Sequence, residues 1–209
     1  MQFDLWLVFA AASTALLIIP GPTLMLVLSY ALTQGKRVAV ASALGVATGD
    51  LIAISLSVLG LGALFLASAY AFTVLKWIGA AYLLWLGVKM LRSAGTANNT
   101  LTHKPAGQAP STVFRDLATV TALNPKSNTF FIAFVPQFID PSANFAPQAA
   151  ILIATFVSIA CVNALLFALA ANAMRNRLQK PRTQVWLTRA GGGTLIGMGL
   201  LTATLRKAS

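Results

Sequence analysis

The chain has 209 residues, of which 57% are hydrophobic and only 9% are charged. Soluble globular domains carry roughly 25% charged residues, and a run of ~20 apolar residues is long enough to span the hydrocarbon layer of a bilayer. The composition therefore excludes an ordinary soluble domain and predicts a polytopic membrane protein.

The net charge of +11 comes from basic residues that are concentrated in alternate connections. They fall at and around 36–37, 89–115 and 175–189, and the connections between these carry no Lys or Arg. This alternation is the positive-inside pattern of membrane proteins, so the charge indicates a lipid bilayer as the partner and not a nucleic acid. With the basic connections in the cytoplasm, the N-terminus is expected outside.

Apolar length predicts six transmembrane helices and an all-α fold. The spans are expected at about 5–33, 38–66, 70–91, 113–139, 147–174 and 185–205. A polar cytoplasmic linker, 92–112, separates a first three-helix repeat, 1–91, from a second, 113–209, within one transmembrane domain. Because each half has three spans, the second enters the membrane in the opposite sense, as in inverted repeats. A five-span alternative would move one terminus to the other side.

Two proline motifs interrupt the first and the fourth predicted spans, Pro20-Gly21-Pro22 and Asn124-Pro125-Lys126. Proline cannot donate the helix hydrogen bond and disfavours the helical conformation of the residue before it. Each span is therefore predicted as two half-helices that meet inside the membrane. Backbone groups freed at that depth need protein or a water-filled cavity to satisfy them, and a matched pair of such breaks is typical of a transport site.

Both second half-helices have a suitable N-terminus. Asn124 suits an N-cap and Pro125 the first helical position, and Gly21 and Pro22 can fill the same two places in the first half. The unpaired N–H groups and the positive dipole end can bind an anion such as a substrate carboxylate. The polar side chains that follow can hydrogen-bond a small ligand: Thr23, Ser127 and Asn128. The alternative is a pair of kinks that only help the helices to pack.

Asp50 lies inside the second span, far from either polar end. An ionisable group at that depth is rare and costly, and it defaults to a functional hypothesis. We predict that Asp50 carries the coupled proton. On a neighbouring face, Gly45 and Gly49 form a G-x-x-x-G pair that suits close helix packing.

Lys126 lies at the second break and is the natural partner of Asp50. The two can form a buried ion pair that holds the halves together, or a pair that switches during transport. Lys126 can instead hold a substrate carboxylate, and the sequence does not rank these roles. Asn163, midway along the fifth span, is an additional site residue or an interhelical contact. Tyr82, in the third span, is interpreted as a packing residue and is a further candidate for the site.

No enzyme, metal site or cofactor is predicted. Cys161 is the single cysteine and His103 the single histidine, and His103 falls in the polar linker. A catalytic centre needs a constellation such as a nucleophile with a nearby base, and nothing in the sequence supplies one.

A set of residues over the first four spans matches a known pattern. It comprises Pro20-Gly21-Pro22-Thr23, Gly45 to Asp50, Gly79, Tyr82-Leu83, Gly87, Asn124-Pro125-Lys126, Phe130-Phe131 and Phe134-Val135-Pro136-Gln137-Phe138. With these residues the chain resembles the LysE/RhtB family of amino-acid exporters, which includes lysine, homoserine and threonine efflux proteins. The resemblance implies a multi-pass protein of the bacterial inner membrane that exports small amino acids or their derivatives, driven by the proton gradient.

The resemblance is closer to the homoserine/threonine type than to dedicated exporters of basic amino acids. Thr23 stands where the family often has asparagine, which bears on substrate preference. The resulting prediction is a secondary transporter that works by proton antiport. The alternatives are a passive channel for small polar solutes and an exporter of another small metabolite or cation. Glycine-rich faces would permit a homodimer.

Overall fold

The computed structural model describes residues 2–19, 21–67, 69–93, 107–140, 142–178 and 181–204. Within these ranges all regular structure is helical, which confirms the all-α class. The helices are α1 (Phe3–Ile18), α2 (Pro22–Gln34), α3 (Ala39–Ala67), α4 (Ala69–Ser93), α5 (Pro110–Ala122), α6 (Pro125–Ala133), α7 (Phe145–Leu178) and α8 (Pro181–Thr204). Pro20, the side chain of Tyr82 and the part of the linker that holds His103 lie outside the described residues.

The chain is interrupted at both proline motifs. α1 ends at Ile18 and α2 begins at Pro22, with Gly21 as its N-cap residue. In the second half, α6 begins at Pro125, and its first turn is capped by the Asn124 side chain, which accepts a 3.0 Å hydrogen bond from the backbone N–H of Lys126. Proline at the first helical position loses no helix hydrogen bond, because that N–H has no partner within the helix.

The fourth predicted span differs from the expectation at both ends. α5 begins at Pro110, three residues before the expected start at 113, so the polar linker is shorter than predicted. α6 ends at Ala133 and is followed by a 3₁₀ turn, Val135–Phe138, where a helix to 139 was expected. Pro136 lies in this turn and has no N–H with which to continue an α-helix.

The helices have the length and surface of a membrane protein. Two described stretches, Pro22–Gly60 and Phe145–Ala171, are long and apolar enough to cross a membrane. Large apolar side chains point outwards, with Leu56 and Leu59 67% exposed and Leu166 60% exposed. Extended apolar surface of this kind marks a site of contact with lipid or protein. The number of six spans and their inverted order stay predictions.

Close contact between α3 and α5 depends on two glycines. A Cβ on Gly45 would lie 2.6 Å from the carbonyl oxygen of Phe114, and one on Gly49 would lie 2.6 Å from that of Ala118. Small residues let helix backbones approach in this way. Since the contact lies within the chain, this face is not free to form the dimer interface that the sequence allowed.

A second glycine contact joins α4 and α8. A Cβ on Gly87 would lie 2.7 Å from the carbonyl oxygen of Gly192, and one on Gly192 would lie equally close to that of Gly87. These helices are the third predicted spans of the two halves, so the contact links the halves backbone to backbone.

An aromatic cluster fills the core beside the second break. Its rings belong to Phe9, Phe130, Phe134, Phe138 and Phe156, all buried. The ring centroids of Phe130 and Phe134 are 4.9 Å apart. Those of Phe9 and Phe138, which join α1 to the 3₁₀ turn, are 5.3 Å apart. The cluster ties α1, α6 and α7 together on one side of the breaks.

Candidate functional site

The two breaks meet at a cavity. Its empty volume is about 400 Å³, including the space at its open mouth, and it is lined by the end of α1 and by α2, α3, α6 and α7. Six polar or charged side chains line it: Thr23, Asp50, Asn124, Lys126, Ser127 and Asn163. Residues from both proline motifs and from two further predicted spans are therefore brought to one place.

Lys126 reaches across the cavity from the second break to the first. Its side chain is 8% exposed, and Nζ donates hydrogen bonds of 3.0 Å to the carbonyl oxygen of Leu16 and 2.8 Å to that of Ile19. The last carbonyls of a helix lack partners within the helix and form its negative end. The carbonyl of Leu16 would normally accept from the residue four positions later, but Pro20 has no N–H. Lys126 therefore caps the C-terminus of α1.

Asp50 faces the same cavity, and one of its carboxylate oxygens has no hydrogen-bond partner within the described ranges. The residue is 1% exposed, and Oδ1 has no hydrogen-bond partner among the described residues. A buried polar atom left unpaired is costly, and more so when it belongs to a charged group. The hydrogen bonds of Lys126 Nζ go instead to the α1 carbonyls. The structure thus brings Asp50 and Lys126 to one cavity but does not join Oδ1 to Nζ.

A hydrogen-bond network connects the two breaks directly. Asn124 Nδ2 donates a 3.1 Å hydrogen bond to Thr23 Oγ1, and Thr121 Oγ1 donates to the same oxygen over 3.3 Å. Asn124 thus caps α6 through its oxygen and holds the start of α2 through its nitrogen. Sequence reasoning missed Thr121, which is buried one turn before the second break. Its position in a helix just ahead of a proline motif is the signal that could have found it.

Asn163 and Asn128 have different roles. Asn163 lines the cavity, and its Nδ2 donates a 3.2 Å hydrogen bond to the carbonyl oxygen of Leu17. At this position Asn163 can act both as a residue of the site and as an interhelical contact, the two roles that the sequence left open. Asn128 Nδ2 donates instead to the carbonyl oxygen of Ala122, at the end of α5, and the residue is not among those that line the cavity. Its contact bridges the second break, from α6 to the end of α5.

A further polar contact joins α2 to α5 on the other side of the breaks from the aromatic cluster. Tyr30 is fully buried, and its hydroxyl donates a 2.6 Å hydrogen bond to Asp116 Oδ2. Gln108 Oε1 lies 3.0 Å from the same hydroxyl. Sequence reasoning missed this contact, although a tyrosine in one predicted span and an aspartate in another offered a possible pair.

The comparison with known proteins decides the family. The LysE type translocator family matches residues 14–206. This chain belongs to that family. The match covers both proline motifs, Asp50 and Asn163, and it confirms the family indicated by the sequence.

Relatives of this LysE-family chain match over nearly its whole length. A homoserine/homoserine lactone efflux protein of Salmonella typhimurium is 35% identical over 209 residues, which cover all of both chains. A leucine efflux protein of Enterobacter sp. is 30% identical over 194 residues, 93% of this chain and 90% of the relative. An uncharacterized membrane protein of Vibrio cholerae is 32% identical over 206 residues, 99% of this chain and all of the relative. No solved structure matches the chain significantly.

Proposed function

We propose that this chain is a secondary transporter that exports small amino acids or their derivatives, of the homoserine, threonine or neutral type, by proton antiport. The observation that carries the proposal is the cavity at the two helix breaks, because it presents one carboxylate with an oxygen unpaired in the described part of the chain, one ammonium and two helix N-termini to one small space. Relatives named as efflux proteins for homoserine, homoserine lactone and leucine support the substrate class.

The cavity suits a zwitterion of modest size. Ligand sites combine apolar walls with a few convergent polar groups, and this cavity places six polar or charged side chains beside apolar ones. The positive ends of the helix dipoles at the starts of α2 and α6, with the hydroxyls of Thr23 and Ser127, suit a carboxylate. The carboxylate of Asp50 suits an ammonium. Small apolar residues of α7, Ala160 and Ala164, leave space for a short side chain.

Proton coupling is assigned to Asp50. As an anion, Asp50 attracts the ammonium groups in the cavity, that of the substrate and that of Lys126, electrostatically at short range. When a proton enters from outside and neutralises the carboxylate, this attraction is lost and the substrate is released outwards. Return of the proton to the cytoplasmic side restores the charge, so that one proton enters for each cycle of export.

The proposed topology has six spans, with α1 and α2 as a broken first span and α5 and α6 as a broken fourth. The N-terminus lies outside and the basic connections face the cytoplasm of a bacterial inner membrane. Residues 1–91 and 113–209 form the inverted repeats, separated by the 92–112 linker, and they rock about the cavity to expose it to each side in turn.

The test is transport by purified protein reconstituted into liposomes, under an imposed pH gradient, with a panel of amino acids, homoserine and homoserine lactone. Asp50→Asn keeps the shape of the side chain and removes its charge, and Asp4→Asn, at the exposed start of α1, is the matched control. We expect gradient-driven accumulation of one substrate class by the wild type and by Asp4→Asn, and loss of the pH dependence in Asp50→Asn. Downhill movement that ignores both the protons and Asp50 would make the protein a channel.

A further inference from the structure

The ammonium of Lys126 is held as a bound cation would be held. Its nitrogen lies 3.0 and 2.8 Å from two backbone oxygens, those of Leu16 and Ile19, at the negative end of α1. These acceptors belong to the first break, whereas the lysine starts from the second. The side chain therefore fills a cation site that another part of the chain has built.

The cavity has more acceptors for a cation than Lys126 uses. Asp50 is 1% exposed, lines the same cavity and has Oδ1 without a hydrogen-bond partner among the described residues. Two sets of acceptors, the α1 carbonyls and the Asp50 carboxylate, thus face one ammonium. If a second ammonium entered the cavity and bound the α1 carbonyls, Lys126 could move to the carboxylate of Asp50.

Gly21 provides the space for Lys126. A Cβ at this position would lie 3.2 Å from Nζ and 3.3 Å from Cε of Lys126. The backbone does not itself require glycine here, because φ is −135° and ψ is −176°, an extended conformation that any residue adopts. A Cβ here would crowd the end of the lysine side chain by a few tenths of an ångström, so the missing side chain of Gly21 leaves room for the ammonium in this position.

We propose that the α1 carbonyls of Leu16 and Ile19 are the site at which the protein binds the ammonium of its substrate, and that Lys126 occupies this site as a tethered competitor until substrate arrives. The chemical class of the ligand is a primary ammonium ion. The proposal rests on the proposed function only for the identity of the natural substrate. Lys126 is suited to the exchange, because its ammonium is a compact charge on a flexible stem.

Recognition then requires the amino group, whereas a carboxylate is not required. Homoserine and its lactone both have a primary ammonium, and both bind. N-acetylhomoserine has the carboxylate but no ammonium, and it does not bind. After the exchange, the displaced Lys126 pairs with Asp50.

The first experiment tests the site without using transport. Lys126→Ala removes from the side chain the atoms of a propylammonium ion, so propylammonium can refill the vacated site. The thermal unfolding midpoint of the full-length variant, in lipid nanodiscs, should rise with propylammonium until it saturates, and should not change with propanol at matched ionic strength. The wild type should need about tenfold or more propylammonium for the same rise, because Lys126 competes for the site. An equal rise in both proteins at the same concentration, or none in the variant, would overturn the proposal.

The second experiment measures the equilibrium binding of homoserine and homoserine lactone. Substrate can bind only when Lys126 has left the α1 carbonyls, and an alternative conformer of this kind is commonly populated at about 0.1–10%. The apparent affinity is reduced by that fraction, so removal of the competing lysine should raise the affinity about tenfold or more. Lys126→Met should do this for both ligands. Gly21→Ala, whose Cβ would crowd the ammonium without removing it, should act in the same direction by a smaller factor. Gly193→Ala, where a Cβ meets nothing within 4 Å, should have no effect.

The two ligands separate the possible failures. If Lys126 binds the substrate carboxylate, Lys126→Met weakens the binding of homoserine and leaves that of the lactone unchanged, which refutes the exchange. If neither amino compound is bound or transported but propylammonium still stabilises Lys126→Ala, the proposed function fails and the ammonium site stands. Gly21→Ala keeps the test available if both Lys126 variants fail to fold.

Discussion

Replacement of Gly49 by alanine tests the closeness of α3 and α5. The new Cβ would lie 2.6 Å from the carbonyl oxygen of Ala118, 2.6 Å from Cβ of Thr121 and 3.0 Å from the backbone nitrogen of Ala122. Two of these atoms belong to the α5 backbone, so a side-chain rotation cannot relieve the overlap. α3 must move away from α5, and such overpacking typically costs about 1–3 kcal/mol.

Gly60→Ala is the matched control, because Gly60 lies in the same helix and a Cβ there meets nothing within 4 Å. Alanine is favoured over glycine in a helix by about 0.8–1.0 kcal/mol, and this gain cancels when the two variants are compared. The free energy of unfolding, measured by titration of the purified protein in mild detergent with a denaturing detergent, should be about 1–3 kcal/mol lower for Gly49→Ala than for Gly60→Ala. Equal stability would show that α3 and α5 do not meet at Gly49 as described.

Two further predictions concern hydrogen bonds. Asn124→Ala removes the cap of α6 and the hydrogen bond to Thr23, so it should lower the free energy of unfolding by about 0.5–2 kcal/mol and also impair transport. Asn144→Ala is the control, because it removes only the 3.2 Å hydrogen bond from Ala146 N at the exposed start of α7. This variant should transport normally. In the connection before α7, hydrogen bonds from the side chain and the backbone of Ser142 hold the pKa of Asp140 below its usual range. Ser142→Ala should raise that pKa, as measured by carboxyl NMR titration. Because the pKa of Asp140 is depressed in the folded state, its hydrogen bonds with Ser142 stabilise the connection above the unfolded-state pKa, and this stabilisation is lost as the pH falls through the folded-state pKa. An unchanged titration of Asp140 in Ser142→Ala would contradict this account.

Local chemistry made the helix breaks predictable. Pro22 and Pro125 restrict the backbone whatever surrounds them, so α2 and α6 begin where the proline motifs indicate. The depth of Asp50 was readable for a similar reason, since an acid in a long apolar run has few alternatives. Pro136 was a comparable signal that was overlooked, and it ends the α-helical part of the fourth span early.

The partners of polar groups were not predictable, because they depend on how the helices pack. Lys126 was expected to pair with Asp50, since opposite charges at similar depth attract. The structure instead places its ammonium on carbonyls of α1, which no side-chain pattern reveals, because backbone oxygens are present at every position. Thr121 was missed for the same reason: its importance lies in Thr23, about a hundred residues away in the sequence.

The two sides of the helix breaks are held by different kinds of contact. On the side at which α2 meets α5, the hydroxyl of Tyr30 donates to Asp116, and water can replace such a bond at a net cost of about 0.5–1.5 kcal/mol, or somewhat more to a charged group. On the opposite side are the packed rings of the aromatic cluster, and a ring that buries about 150–250 Å² costs roughly 4–6 kcal/mol to expose fully to water. The hydrogen bond between Tyr30 and Asp116 therefore costs less to break than a ring of the aromatic cluster costs to expose, and in the proposed topology this hydrogen bond lies on the side that faces the cytoplasm, from which an exporter takes up its substrate.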